Sequence, residues 1–129
     1  MEAGIAVPEL YGVIAYAAEV ENFSAIVAGH DDFVIKPAHG SGGDGIIVVV
    51  GRTGTYFRLA NGTLVEQAEI EYQLQQIVSG IYSLGGQQDK ALIEYRVRFD
   101  PVFEKIAYQG VPDVRIIVFL GVPTMAMVR

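Results

Sequence analysis

Phe33-Val34-Ile35-Lys36-Pro37-Ala38-His39-Gly40-Ser41-Gly42-Gly43-Asp44-Gly45-Ile46-Ile47-Val48-Val49-Val50 is the stretch that decides how this sequence is read. An apolar run ends in a lysine, a glycine-packed loop follows, and a second apolar run rich in β-branched residues leaves it, so the pattern is strand, loop, strand. Gly40, Gly42, Gly43 and Gly45 let the backbone enter left-handed conformations and bring its amides close to an anion, which is how a phosphate cradle is built. The plain alternative is a β-hairpin whose loop is merely glycine-rich.

Element order separates the known phosphate loops. Gly40-x-Gly42-x-x-Gly45 matches the dinucleotide fingerprint, but that motif must open a helix, and residues 46–50 are a poor helix start. A Walker loop needs Gly-Lys-Ser/Thr at its end, whereas Lys36 precedes the loop. Protein kinases place their lysine on a later strand and carry His-Arg-Asp and Asp-Phe-Gly elements that this sequence lacks.

Working outward, residues 3–17 read as an extended leading segment without chemistry. Val20, Phe23, Ile26 and Val27 recur at helical spacing, with Gly29 as a natural stop. His30-Asp31-Asp32 reads as a solvated turn and not as a metal cluster, because adjacent residues seldom converge on one ion. Residues 55–59 and 63–65 flank Asn61-Gly62 and predict a hairpin, which puts the cradle in an antiparallel sheet. Ile70, Leu74, Ile77, Val78, Ile81 and Leu84 mark the clearest helix, with Glu69, Glu71, Gln73 and Gln75 on its wet side. Residues 91–98 predict a strand, 99–112 an irregular link with a helical turn near Val102-Phe103, and 113–119 and 124–129 two further strands around Gly121. Met125 and Met127 alternate as one face and read as core.

The chain has 129 residues, enough for about one domain, and its 51% hydrophobic content can bury a core. It has no cysteine, which excludes a disulfide framework and thiolate metal sites. A net charge of -6 with nine scattered Lys and Arg argues against a nucleic-acid surface. Apolar runs are too short for a membrane span and no signal layout opens the chain, so the expectation is a cytoplasmic protein with no membrane partner. Binding a polyanion on an acidic domain needs local cations, backbone amides and divalent metal; Lys36 is the first candidate.

A lysine at a strand end followed by a flexible Gly/Ser loop resembles the ATP-grasp superfamily, and within it the α-L-glutamate ligase-related proteins and the sugar-transfer-associated ATP-grasp group. The likeness spans most of the chain and is strongest at 33–50 and 113–129. It implies an α+β fold: residues 1–98 as the small ATP-grasp subdomain, an antiparallel sheet with helices on one face, and 99–129 as a linker and the start of the second subdomain. It also implies that ATP is held by Lys36 and by Gly40, Ser41, Gly42, Gly43 and Gly45; Asp44, an anion in the cradle, is expected to point away from the phosphates, since facing them would oppose binding. Glu94 and Tyr95, with Val97, would form the hinge whose backbone reads adenine. Asp113 would lie near the ribose and Arg115 near the phosphates, with a structural Asp113–Arg115 salt bridge as the rival reading. Arg129 would face the transferred phosphoryl or acyl group. In the family the magnesium ligands come from later strands, so none is assigned here, and the chain is expected to be a piece of a larger enzyme lacking the N-terminal domain of such ligases. The implied activity is that of a carboxylate-amine ligase working through an acyl phosphate, taking ATP, a small carboxylate and an amine. Two rivals stand beside it: a non-catalytic nucleotide-binding module, and an ATP-grasp enzyme of cell-surface polysaccharide assembly.

Overall fold

The computed structural model describes residues 4–105 and 113–128, and its chain divides into two compact units, Met1–Arg96 and Val97–Arg129. The first unit is a six-stranded antiparallel sheet in the order β1-β6-β2-β3-β4-β5, formed by β1 (Leu10–Ile14), β2 (Phe33–Pro37), β3 (Ile47–Thr53), β4 (Tyr56–Leu59), β5 (Leu64–Val65) and β6 (Ala91–Glu94). The leading segment, read as extended, contributes the edge strand β1, which pairs with β6. The sheet has the antiparallel form and one-sided helices that the sequence implied.

Period-two alternation sets the two faces. Phe33, Ile35 and Pro37 are buried, while Val34 and Lys36 point the other way and are half-buried. The buried side meets α1 (Phe23–Ile26) and α2 (Gln67–Ser79): Phe23, Phe33, Ile35, Ile70, Leu74, Ile77 and Ile93 form one cluster, each at most 2% exposed. The rings of Phe23, Phe33 and Phe57 lie 5.9 Å apart in tilted and edge-on pairs. No helix of this unit covers the opposite face among the described residues.

Helical spacing overstated both helices. The first opens as a 3₁₀ segment, Ala17–Asn22, and has only one α turn, Phe23–Ile26; just beyond it the Arg52 guanidinium donates to Val27 O at 2.9 Å and His30 O at 3.2 Å. The second stops at Ser79, leaving Ile81 and Leu84 outside it at 61% and 71% exposed. Gly80 imposes the stop: it has φ 92°, and a Cβ there would sit 2.1 Å from the Gln87 carbonyl oxygen. A left-handed, close-packed glycine outweighs two more apolar positions on the periodic stripe.

The second unit contains a 3₁₀ segment, Pro101–Lys105, and a hairpin of β7 (Val114–Phe119) and β8 (Val122–Val128) turned at Leu120-Gly121. The helical turn at Val102-Phe103 and β7 fall where the sequence put them, whereas β8 opens at Val122, two residues before the expected 124–129; Ile106 and Arg129, which those readings included, lie outside the described residues. Met125 and Met127 are 57% and 41% exposed, so within this unit they are surface and not core.

Candidate functional site

Lys36 is carried on the uncovered face of β2, one residue before Pro37 ends the strand. β2 runs between β3 and β6, with Val34 opposite Glu94 and Lys36 opposite Leu92. Lys36 and Glu94 are therefore diagonal neighbours on one face, and Lys36 Nζ lies 2.5 Å from Glu94 Oε1. Their side chains are 37% and 12% exposed, so the pair is only partly shielded from water. Val34, Val48 and Leu92 are half-buried around it, giving an apolar sheet surface with one ion pair at its centre.

The loop leaving β2 is fixed at its ends and open at its tip. Gly40 bridges to Ser83, and a Cβ on Gly40 would lie 2.4 Å from the Pro37 ring. At the far end a Cβ on Gly45 would lie 2.6 Å from the Tyr82 ring. Gly42 and Gly43, with φ of 67° and 85°, have nothing within 4 Å of a Cβ position, and a bond from Asp44 N–H to Ser41 O closes the turn. No hydrogen bond engages the Gly42, Gly43 or Gly45 amides among the described residues, so they are available to an anion. Asp44 is exposed.

A buried carboxylate that sequence reasoning missed anchors the start of this loop. Asp89 is 2% exposed and accepts from His39 N–H at 3.0 Å, from Lys90 N–H at 2.8 Å and from His39 Nδ1 at 2.7 Å. Burial alone pushes its carboxyl up, but the hydrogen bonds from the His39 ring, the Lys90 and His39 backbones and the His39 charge outweigh it and hold it below the usual carboxylate range. Asp89 N–H donates to Val78 O at 3.3 Å, so this one residue joins the α2 terminus, the start of β6 and the loop. The available signal was the alternation of 89–94, which places Asp89 on the core side.

Of the stretch 91–98 read as strand, residues 95–98 are not strand, and Tyr95 N–H donates to Glu9 O at 2.8 Å. The Glu94 side chain is committed to Lys36. Val97 is 48% exposed. Nearby, burial, then the charges of Glu9 and Asp32 and the neighbouring Tyr95, push the Tyr11 hydroxyl above its ordinary value. The Tyr11 ring stacks on His30 at 3.7 Å, and Arg96 Nε reaches Asp32 at 3.1 Å, so His30 and Asp32 serve packing and pairing. No group of three His, Asp or Glu able to hold a metal ion occurs among the described residues.

In the second unit Arg115 Nε donates to Asp113 Oδ2 at 2.8 Å, the rival reading of that pair. Arg129 lies outside the described residues. The structure thus brings Lys36, Glu94 and the 40–45 loop together in one unit, while Asp113 and Arg115 belong to the other. A hollow of about 340 Å³ lies between Gly45, Tyr82 and α2 and does not include Lys36; the candidate site is the open sheet face and not that hollow. No helix among the described residues is long and apolar enough to cross a membrane.

The description sugar-transfer associated ATP-grasp fits this chain over residues 1–129. No curated protein and no solved structure matches it.

Proposed function

The chain belongs to the sugar-transfer associated ATP-grasp family, and from that premise we propose that it is the nucleotide-binding part of an ATP-dependent carboxylate-amine ligase acting in saccharide assembly. The observation that carries the reading is a lysine on an uncovered apolar sheet face, continuous with a loop whose tip amides are unengaged. Both parts fit ATP: Val34, Val48 and Leu92 offer a flat apolar surface to a base, and Lys36 with the Gly42 and Gly43 amides offers positive charge to phosphates. Bound with magnesium, ATP supplies the phosphoryl group that activates a carboxylate for attack by an amine. Phosphoryl transfer is mostly positioning and charge neutralisation, and this chain's own share is to hold and orient the phosphates.

The saccharide-linked acceptor is preferred over a glutamate-type one because the family description names sugar transfer. Calorimetric titration with magnesium and ATP tests the nucleotide reading: submillimolar binding is expected, about tenfold weaker in Lys36→Ala as one charge-assisted contact is lost. Equal affinity in wild type and Lys36→Ala would refute the site. ADP release on supplying a carboxylate together with an amino sugar as the amine, absent when glutamate replaces the amino sugar, tests the acceptor class.

A further inference from the structure

Strict alternation extends one residue beyond the start of β6. Asp89, Ala91 and Ile93 are buried, whereas Lys90 is exposed and Leu92 and Glu94 are half-buried. The ladder continues as well, because Ala38 N–H donates to Lys90 O at 2.9 Å. Lys90 therefore shares the open face with Lys36 and stands opposite Ala38, two residues before Gly40. Since Lys36 pairs with Leu92, Glu94 and Lys90 are its two diagonal neighbours, Glu94 away from the glycine loop and Lys90 beside it.

We propose that Lys90 is a second phosphate-binding cation of this site, contacting the polyphosphate at the base of the loop and giving the site its preference for di- and triphosphates over monophosphates. The inference rests on the nucleotide reading above. Lys36 alone supplies little net charge, because Glu94 neutralises it at 2.5 Å. Asp44 adds a further negative charge to the loop, and the chain as a whole carries -6. A polyanion needs a local excess of positive charge to settle there. Lys90 provides it: no carboxylate pairs with its side chain among the described residues. Asp89 next to it faces the interior, its oxygens taken by His39 and by the Lys90 N–H, so it fixes the backbone that carries Lys90 without quenching the ammonium. A flexible stem ending in a compact charge suits phosphates that shift during transfer.

The test titrates magnesium with ATP, ADP or AMP into wild type, Lys90→Gln, Lys36→Ala and, as a control for bulk charge, Lys105→Gln. Lys90 is exposed, so Lys90→Gln should fold like wild type, checked by its melting temperature. Lys90→Gln should weaken ATP about tenfold and AMP less than twofold, while Lys105→Gln changes neither. In parallel, saturating ATP should slow acetylation of Lys90 by an amine-reactive reagent, read by mass spectrometry, and AMP should slow it less. ATP affinity that falls in Lys36→Ala but is unmoved in Lys90→Gln, with unprotected Lys90, overturns this assignment alone. Wild type that binds no ATP overturns the nucleotide reading and this proposal together.

Discussion

Replacing Glu94 by glutamine should strengthen ATP binding while weakening the fold, and the opposing signs make it the sharpest test of how Lys36 is used. Glu94 Oε1 lies 2.5 Å from Lys36 Nζ. A phosphate taking the free side of that ammonium would have the carboxylate about 5 Å away, where like unit charges repel by about 3 kcal/mol at an effective dielectric of 20 and about 0.8 kcal/mol in water. Lys36 is 37% exposed, so the effect belongs near the lower figure, about 1 kcal/mol, or roughly fivefold in affinity. The stability lost with the ion pair is also of order 1 kcal/mol, a modest drop in melting temperature. Glutamine keeps the shape and an acceptor for Lys36, so the variant isolates charge. Calorimetric titration beside thermal melting reads both quantities. If Glu94→Gln binds ATP more weakly than wild type at unchanged stability, the carboxylate itself contacts the nucleotide and the account of Glu94 as a competitor for Lys36 is wrong.

Asp89 should confer acid sensitivity. Its folded carboxyl titrates below the ordinary range, so the stabilisation is fully present above the unfolded value of about 3.9 and is lost as pH falls through the folded value; Asp89→Asn should be less stable at pH 7 and lose less between pH 4 and 2, and a wild-type denaturation curve parallel to that of the variant would refute it. Gly80→Ala should cost more than about 2 kcal/mol, since φ 92° and a Cβ 2.1 Å from Gln87 O leave no relaxed position, with urea denaturation as the check. Arg52→Met removes the hydrogen bonds to the Val27 and His30 carbonyls that follow α1 and a guanidinium 4.5 Å from the Phe57 ring; a loss of about 1–2 kcal/mol is expected, and an unchanged urea midpoint would show that the cap contributes nothing.

What the sequence revealed and what it hid divide along the reach of the interactions. The 33–50 stretch was legible because lysine, loop and flanking strands are contiguous, and the Asn61-Gly62 hairpin because turn chemistry is local. Glu94 was found by resemblance, but its contact with Lys36 was not, because that contact exists only once β6 inserts between β1 and β2 and the register sets Leu92 opposite Lys36. The same insertion gives the extended leading segment its partner as β1 and buries Asp89 under His39. These are one event: the β1-β6-β2 order, which no local pattern encodes, aligns 90–94 against 34–38. Once that alignment is granted, the parity of a single strand assigns every residue a side, with Asp89 inward as the anchor of the loop and Lys90, Leu92 and Glu94 outward around Lys36. The chemistry of the face is therefore a consequence of strand order as much as of the glycine loop that first drew attention to it.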